Sequence, residues 1–450
     1  MQSVTNSENH WYDSLAGRTV RADNIDVITD TAGYRQRLLD LIKNATRRIH
    51  LAALYLQDDE AGRAVLHALY QAKQQRPELD IQVLVDFHRA QRGLIGKGPQ
   101  IGNDQFYRDL AQQYAPVEIG IHGVPVKSRE WAGVLHLKGF VIDDTVVYSG
   151  ASINDVYLGW NGRYRYDRYH LIHDVVLADS LSSFLTQDLI ASDAVVSLLH
   201  LPIANAKALR RSIKQLKMRL SRARYQLPDD IGDGEVTIFP LLGLGRQGNQ
   251  LNRTIINLLL SAEKRVFICT PYFNLPSQLT SVIGKLLKRG VEVQIVVGDK
   301  TANDFYMPPE AEFSPVGALP YLYEQNLKRF AKRHQRSIDK GLLDLRLWWH
   351  EDNSYHLKGI QVDDHAYLLT GNNLNPRAWA LDLENGLMLI DQQGALQSKF
   401  ADERACILQN TTRLQGHGCI EPVDKYPAQI AKLLKRLKRL RADLLLKRVL

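Results

Sequence analysis

One short pattern occurs twice in this 450-residue chain and constrains its fold more than any other feature. The first copy, HLKGFVID, runs from His136 to Asp143, and the second, HLKGIQVD, runs from His356 to Asp363. If each fixed residue type fills about one position in twenty, a His-x-Lys-x4-Asp match arises about once in 8,000 starting points. Two copies in one chain therefore indicate an internal duplication.

The surroundings of the two copies also repeat. Gly150 and Asn154 follow the first copy, and Gly371 and Asn375 follow the second. Around each copy the same order of elements recurs at an offset of about 220 residues: a strand-like run, an amphipathic helix, a buried-type strand and a polar loop. Strands alternating with helices predict an α/β fold, in which each half contains a largely parallel mixed sheet flanked by helices.

The composition along the chain divides it into four segments. The predicted boundaries are an N-terminal half (1–200), a basic helical connector (201–233), a C-terminal half (234–415) and a basic amphipathic segment (416–450). We interpret the connector as a helix that packs on the body and exposes its basic face. The last segment has a leucine stripe among basic residues, which fits either an anionic membrane surface or a docked terminal helix.

Charge and cysteine usage narrow the possible partners and compartment. A formal charge of +8 favours an anionic partner, such as nucleic acid, an acidic membrane or a phosphate-bearing substrate. No run approaches the about 18 apolar residues of a spanning helix, and the first residues do not resemble a secretory signal. The cysteines, Cys269, Cys406 and Cys419, lack zinc-site spacing. We therefore expect a cytoplasmic protein that at most lies on a membrane.

The repeated pattern carries residues suited to phosphoryl transfer. His136 and Lys138 are two residues apart, as are His356 and Lys358, so each pair points to one side of an extended segment. One neutral imidazole can attack phosphorus, while a second, protonated imidazole donates to the departing oxygen. The lysines, with Asn154 and Asn375, would hold the phosphate oxygens as charge develops. No carboxylate or His/Cys cluster suggests a bound metal, and we expect no cofactor.

Four acidic residues are assigned different roles. Asp143 and Asp363 lie at odd spacing from the histidines, so we interpret them as structural residues of the motif, together with Gly150 and Gly371. Asp167 and Glu384 follow the two copies at comparable distances and are candidates to orient the histidines. The alternative for Asp167 and Glu384 is an ordinary surface ion pair.

The doubled His-x-Lys-x4-Asp pattern, followed each time by Gly-x3-Asn, resembles the phospholipase D superfamily. The resemblance implies two such α/β halves packed about a pseudo-twofold axis, with His136 and His356 meeting in one site and forming a covalent phospho-histidine. It also implies that phosphate is bound by Lys138, Asn154, Lys358 and Asn375. Ser152 matches a serine common in the family, whereas the second copy has Asn373 at that position.

Within the superfamily, the likeness is to the phosphatidylserine synthases of Gram-negative bacteria. It rests on VDFHRAQRG (85–93), TPYFNLP (270–276), GDKTANDF (298–305) and NNLNPRAW (372–379). It implies metal-independent transfer of a phosphatidyl group from CDP-diacylglycerol to L-serine with release of CMP. It also implies peripheral association with the inner face of the bacterial inner membrane through the basic segment. The sequence near the motifs has no dense basic-aromatic groove, so we do not expect nucleic acid as a partner.

Finer assignments and rival functions remain open at this stage. Arg89, Arg92 and Lys300 lie on loops after strands and are candidates to contact the cytidine diphosphate. His136 is our choice for the nucleophile. The rivals are a cardiolipin synthase-like enzyme, a phospholipase or nuclease of the superfamily, and a non-enzymatic lipid- or RNA-binding relative. Both histidines and both lysines are intact, which argues against the last of these.

Overall fold

A computed structural model describes residues 10–92, 102–308, 310 and 312–440. In chain order its strands are β1 (Arg18–Val20), β2 (Ile25–Ile28), β3 (Arg48–Ala53), β4 (Asp80–Asp86), β5 (Gly120–Val124), β6 (Phe140–Ile142), β7 (Thr145–Ser149), β8 (Arg165–Tyr166), β9 (Tyr169–His173), β10 (Val196–Ser197), β11 (Val236–Leu244), β12 (Arg265–Cys269), β13 (Glu292–Gly298), β14 (Leu343–Trp348), β15 (Ser354–Tyr355), β16 (Gly359–Val362), β17 (Ala366–Thr370), β18 (Leu383–Ile390) and β19 (Thr411–Arg413).

The helices are α1 (Thr31–Asn44), α2 (Glu60–Gln75), α3 (Phe87–Ala90), α4 (Asn103–Tyr114), α5 (Val175–Ser183), α6 (Arg210–Leu220), α7 (Gln250–Leu260), α8 (Ser277–Lys288), α9 (Leu319–Arg333), α10 (Gln335–Asp339), α11 (Pro376–Ala380), α12 (Gln397–Gln409) and α13 (Ala428–Arg439). A π-helical stretch, Phe184–Ile190, continues α5. Side-chain caps start several of these helices: Asp30 accepts from Gly33 N ahead of α1, and Asp59 accepts from Gly62 N ahead of α2.

Two large sheets repeat one strand order. The first sheet runs β2-β9-β7-β6-β3-β4-β5-β10, and the second runs β11-β18-β17-β16-β12-β13-β14-β19 with β1 added beside β11. Each strand of the first sheet therefore has a counterpart at the same place in the second. The duplication, and with it the α/β class with two similar halves, is confirmed.

The sheets are less parallel than the sequence suggested. Only β3-β4-β5 and β12-β13-β14 pair in parallel, while the other described neighbours in the two sheets are antiparallel. The expectation of largely parallel sheets is wrong in this respect. The reason is a hairpin after each motif: β6 turns into β7 at Asp143, and β16 turns into β17 at Asp363, both with positive φ.

The two sheets face each other across a shared apolar layer. This layer contains residues of both sheets, such as Val146 and Leu387, together with α5, α6 and α12. Helices α1, α2 and α4 cover the outer face of the first sheet, and α7, α8 and α9 cover that of the second. The molecule is therefore built in five alternating layers of helix and sheet, and burial of the central layer fixes how the halves meet.

The terminal and connecting segments differ in part from expectation. Strand β1 lies within the predicted N-terminal half (1–200) but pairs with β11 of the second sheet, where Val20 is buried in the central layer.

Helix α6 buries Ile213, Leu216 and Leu220, as expected for a connector packed on the body. Along α13, Leu434 packs near α9, so this part of the basic segment is docked. Residues 441–450 of the basic segment lie outside the described residues.

The described residues contain no helix that combines the length and apolar character needed to cross a membrane.

Candidate active site

Each histidine motif begins in an extended segment that pairs with the opposite half. His136 precedes β6 and donates its backbone N–H to Leu383 O at 2.9 Å. His356 precedes β16 and donates its N–H to Tyr166 O, also at 2.9 Å. These two backbone bonds are equivalent under the internal repeat, and both cross between the halves. They anchor the two imidazoles at the same interface.

The imidazole of His136 is held by a carboxylate from the second half. His136 Nδ1 lies 2.9 Å from Glu384 Oε1 and 3.0 Å from Oε2, and both side chains are buried. A carboxylate on Nδ1 favours the tautomer that leaves Nε2 without a proton. The predicted partnership between Glu384 and a motif histidine is therefore present as a contact.

The imidazole of His356 has an equivalent carboxylate and two additional neighbours. His356 Nδ1 lies 2.8 Å from Asp167 Oδ2, which comes from the first half. Lys358 Nζ lies 3.3 Å from the same Asp167 oxygen and directly against the imidazole. The Tyr157 hydroxyl approaches within 3.1 Å of His356 Nε2. His356 is thus more tightly surrounded than His136.

Lys138 is positioned by both halves. Its backbone N–H donates to Asn385 Oδ1 at 2.9 Å, and its carbonyl accepts from Asn385 Nδ2 at 2.7 Å. Its ammonium donates to Ser152 Oγ at 3.2 Å. A Cβ added at Gly371 would lie 2.4 Å from Lys138 Cγ, so the motif glycine leaves room for the lysine of the other half. At Gly150 an added Cβ would lie 2.7 Å from the Asp167 carboxylate oxygens.

Burial and positive charge keep both imidazoles neutral. Burial lowers the pKa of His136 well below its ordinary value, and the nearby charges of Lys138, Lys358 and His356 lower it further. Burial and Lys358 likewise lower the pKa of His356 well below its ordinary value. The effect of His356 on the pKa of His136 places the two imidazoles in one electrostatic environment. A neutral histidine with a free nitrogen is the form that can act as a nucleophile.

The charged groups beside the histidines are also perturbed. Burial lowers the pKa of Lys138 to about 7 and that of Lys358 to about 8. Burial raises the pKa of Asp167, and it raises the pKa of Glu384 well above its ordinary value. Perturbed lysines, acids and histidines in one buried cluster are typical of catalytic sites.

The asparagines of the motifs are fixed through their oxygens. Asn154 Oδ1 accepts from Tyr157 N, and Asn375 Oδ1 accepts from Ala378 N, each at 2.9 Å. The backbone carbonyl of Asn373 accepts from Thr270 Oγ1 at 2.7 Å, while its Oδ1 is buried without a hydrogen-bond partner. The Asn154 amide Nδ2 donates to the Tyr55 hydroxyl at 3.4 Å. Binding of a phosphate by the two asparagine amide groups remains a prediction.

The motif aspartates make backbone contacts at the far end of each motif. Asp143 accepts from the backbone N–H groups of Thr46, Arg47 and Arg48. Asp363 accepts from those of Glu263, Lys264 and Arg265. Each aspartate therefore joins its hairpin turn to the start of β3 or β12 and faces away from the histidines.

Comparison with known proteins places this site in a family. Residues 38–188 and 255–405 each match the family model described as "Cardiolipin synthase, PLD-like domain". The chain is 45% identical over 428 residues to CDP-diacylglycerol–serine O-phosphatidyltransferase of Escherichia coli, covering 95% of both chains. The chain belongs to the phosphatidylserine synthase family of phospholipase D-like proteins.

Two comparisons with Haemophilus influenzae support the same assignment. The CDP-diacylglycerol–serine O-phosphatidyltransferase of that organism is 45% identical over 435 residues and is matched over 96% of both chains. A crystal structure of phosphatidylserine synthase from H. influenzae superposes with a TM-score of 0.94 at 44% identity, covering 97% of each chain. The resemblance stated from the two motifs is thus confirmed at the level of the family.

The three basic loop residues predicted to contact the nucleotide each have different neighbours. The Arg89 guanidinium lies over the Tyr55 ring at 4.8 Å, and Asp86 caps the Arg89 backbone. Arg92 donates through Nε to Glu130 Oε2 at 2.6 Å. Lys300 lies between Glu324 and Glu421, at 3.1 and 2.7 Å, so its charge is already balanced. The contacts described for Arg89 and Lys300 are with residues outside the two motifs, and binding of the nucleotide by these loop residues remains a prediction.

Several residues of the site were not assigned a role from the sequence. Tyr157 contacts His356, Asn385 brackets Lys138, and Asp304 forms an ion pair with Arg165 beside Tyr157. The position of Tyr157, three residues after the motif Asn154, is a signal that could have been used. For Asp304 and Arg165 no local pattern indicates the contact, because the partners come from opposite halves.

In the part of the chain that the structure describes, no three or more His, Cys, Asp or Glu side chains gather closely enough to hold a metal ion.

Proposed function

We propose that the protein is a phosphatidylserine synthase that transfers the phosphatidyl group of CDP-diacylglycerol to the hydroxyl of L-serine and releases CMP. The relatives from E. coli and H. influenzae carry the corresponding name at 45% identity over nearly their whole length. The observation that carries the proposal is the pair of buried histidines, each oriented by a carboxylate of the opposite half. Such a pair provides a nucleophile and an acid-base group for one phosphorus atom.

In the first half-reaction, His136 Nε2 attacks the phosphorus that carries the diacylglycerol. A nitrogen–phosphorus bond forms, the phosphorus–oxygen bond to CMP breaks, and a phosphatidyl-histidine remains. Glu384 on Nδ1 stabilises the positive charge that the imidazole gains. Lys138 and Lys358 lie where they would stabilise the negative charge on the phosphate oxygens.

In the second half-reaction, the serine hydroxyl attacks the same phosphorus. His356 takes the hydroxyl proton, the new phosphorus–oxygen bond forms, and the bond to His136 breaks. Asp167 on His356 Nδ1 stabilises the imidazolium that results. In the first step the bound anionic diphosphate favours protonated His356, because negative charge raises the pKa of a nearby imidazole. His356 gives this proton to the departing CMP oxygen, which returns the imidazole to the neutral form that later accepts the serine proton.

The proposal includes catalysis without a metal ion. The two lysines and the motif asparagines supply the positive charge and the hydrogen-bond donors that a metal supplies in other phosphoryl-transfer enzymes. Lys138, Lys358, Asn154 and Asn375 are all buried around the histidines.

An assay with purified protein tests the function. CDP-diacylglycerol, L-serine and EDTA are incubated with the protein in detergent micelles, and CMP and the aminophospholipid are measured. We expect both products in equal amounts, with no loss of rate in EDTA. CMP release that does not depend on serine would indicate a hydrolase, and cleavage of an oligonucleotide instead would favour the nuclease alternative.

We also propose that the basic face of α13 binds an anionic membrane surface. Along the helix, Ile430, Ala431 and Leu434 are buried, while the exposed positions are largely basic: Lys432, Lys435, Arg436, Lys438 and Arg439. Each basic residue near an anionic surface contributes about 1 kcal/mol to binding. Docking of the apolar side fixes the helix, and the basic side remains available to lipid headgroups.

Neutralising this face is expected to weaken membrane binding. Changing Arg436, Lys438 and Arg439 to glutamine should reduce sedimentation with anionic vesicles by about 100-fold in partition coefficient, at about 1 kcal/mol per residue. Turnover in detergent micelles should be unchanged. The matched control changes Arg210, Arg211 and Lys214, three exposed basic residues of α6. Equal loss of vesicle binding in both triple variants would mean that net charge, not α13, is responsible.

A further inference from the structure

A partly buried ion pair lies beside His356 and has no role in the scheme above. Arg165 Nε lies 2.8 Å from Asp304 Oδ1, with the two side chains 16% and 12% exposed. Arg165 is on β8 of the first half, and Asp304 follows β13 of the second, so the pair bridges the interface. The Arg165 guanidinium lies 4.5 Å over the Tyr157 ring, and Tyr157 contacts His356.

The Asp304 carboxylate retains binding capacity. Its Oδ2 accepts from the Tyr272 hydroxyl at 2.7 Å, but its Oδ1 accepts no hydrogen bond of good geometry despite its closeness to Arg165. Burial opposes its ionisation, yet Arg165 and His356 lower the pKa of Asp304, so it is a carboxylate at neutral pH. Asp304 Oδ1 is therefore paired by charge with Arg165 but accepts no well-directed hydrogen bond, so it can accept one from a further donor.

The second half has a different ion pair near His136, in which Arg377 Nε lies 3.0 Å from Asp382 Oδ2, and it has no tyrosine at the position of Tyr157. Two residues before its orienting carboxylate stands Asp382, where the first half has Arg165 before Asp167. Three residues after its motif asparagine stands Ala378, where the first half has Tyr157. The repeat is therefore broken at the residues that flank His356. A feature that interrupts an otherwise repeated architecture indicates a task carried out at one histidine only.

We propose that Arg165 and Asp304 form the subsite that recognises the amino-acid end of the acceptor. The Asp304 carboxylate binds the α-ammonium group of serine, and the Arg165 guanidinium binds its α-carboxylate. This assignment rests on the proposed function with His136 as nucleophile. A zwitterion presents one charge of each sign, and a neighbouring carboxylate and guanidinium match both.

Because CMP leaves before serine arrives, Arg165 and Asp304 differ in which of these two molecules they can bind. Successive in-line displacements bring the departing CMP and the arriving serine to the same side of phosphorus, opposite the nucleophile. CMP and serine both bring an anionic group that Arg165 can bind, but only serine brings an ammonium group. Asp304 therefore selects the acceptor without being needed for CMP release.

The Asp304→Asn variant tests the assignment, since asparagine keeps the size and removes the charge. The rate of the CMP burst without serine is measured first, and then the dependence of phosphatidylserine formation on serine concentration. We expect the burst rate to stay within about threefold of wild type and the serine KM to rise at least about tenfold, as for loss of a charged hydrogen bond. Asp299→Asn in the same loop is the matched control, because Asp299 only caps a turn at Thr301 and asparagine also caps.

Other outcomes overturn the assignment. An unchanged serine KM in Asp304→Asn would remove Asp304 from the acceptor subsite. An equal fall in burst rate and serine-dependent rate, with a shifted pH profile, would mean that Asp304 acts through His356. Absence of any CMP burst in the wild type would instead contradict the proposed function itself.

The wild-type enzyme provides a second test that does not depend on a variant. L-serine, ethanolamine and 3-hydroxypropionate all offer a hydroxyl, but ethanolamine lacks the carboxylate and 3-hydroxypropionate lacks the ammonium group. We expect kcat/KM for each analogue to be at least about tenfold below that for L-serine. Equal use of 3-hydroxypropionate and L-serine would contradict ammonium recognition.

Discussion

Replacing His136 or His356 with alanine is expected to reduce phosphatidylserine formation by about 1,000-fold or more, because each variant removes a bond-forming or proton-transferring group. The fold should survive both changes. The principal side-chain contacts of the histidines are with Glu384 and Asp167, and the pKa of both acids is raised by burial, so each can become neutral when its partner is lost. The measurements are the rate of CMP release with serine and the thermal unfolding temperature.

A surface histidine provides the control for this experiment. His200 is exposed, and His200→Ala should retain full activity. If either His136→Ala or His356→Ala kept more than about a tenth of wild-type turnover, the two-histidine scheme would be wrong, since a missing nucleophile or acid-base group costs more than that.

Breaking the buried ion pair between Arg168 and Glu403 is expected to cost about 3–5 kcal/mol in the free energy of unfolding. Arg168 Nε donates to Glu403 Oε1 at 2.9 Å, and His170 Nε2 lies 3.2 Å from the same oxygen. Arg168 lies between β8 and β9 of the first half, and Glu403 is on α12 of the second. Glu403→Gln leaves the guanidinium buried without its counter-charge at this interface, and urea unfolding followed by circular dichroism measures the cost.

The same ion pair predicts a pH dependence of stability. Burial opposes ionisation, but Arg168 and His170 lower the pKa of Glu403 from its ordinary 4.5 to about 2. A carboxyl group with a lowered pKa in the folded state stabilises the protein fully above its unfolded pKa. This contribution should be lost progressively as the pH falls from about 4.5 to about 2. In Glu403→Gln the acid-induced loss of stability over this range should be smaller than in the wild type.

An exposed ion pair is the matched control. Asp58 pairs with Arg63 at the surface, with side-chain exposures of 40% and 53%. Asp58→Asn should change the free energy of unfolding by about 0.5 kcal/mol or less, because exposed pairs are screened by water. A similar cost for Asp58→Asn and Glu403→Gln would show that the buried pair does not hold the halves together.

Much of the site could be predicted from the sequence because the duplication made its elements recognisable. The two histidines with their lysines were visible as a repeated pattern, and Glu384 and Asp167 as acids at comparable distances after it. Their contacts with the imidazoles are as expected. The alternative, that Asp167 and Glu384 form ordinary surface ion pairs, does not fit, because both side chains are buried.

The remaining site residues depend on how the halves meet, which local patterns do not encode. Arg168 and Glu403 are 235 residues apart, and Lys138 and Asn385 are 247 apart. Hydrophobic periodicity describes which face of an element is buried, not which side chain lies opposite it across an interface. The role of Asp304 is not predictable for the same reason, whereas Tyr157 has a local signal in its position three residues after the motif Asn154.

The prediction of largely parallel sheets is wrong because it rests on the alternation of strands with helices, a pattern that does not reveal the hairpin after each motif. The signal for hairpins was present in the acidic pairs Asp143-Asp144 and Asp363-Asp364, which occupy the turns after β6 and β16. Aspartate tolerates the left-handed conformation that such turns require.

Trapping the covalent intermediate tests the central claim most directly. CDP-diacylglycerol labelled in the phosphatidyl phosphate is mixed with enzyme without serine, quenched in denaturant, and the labelled peptide is identified by mass spectrometry. We expect one labelled site, at His136, that disappears in His136→Ala and is released as phosphatidylserine when serine is added before the quench. Product formation at full rate with no label on either His136 or His356 would contradict a phosphatidyl-histidine mechanism.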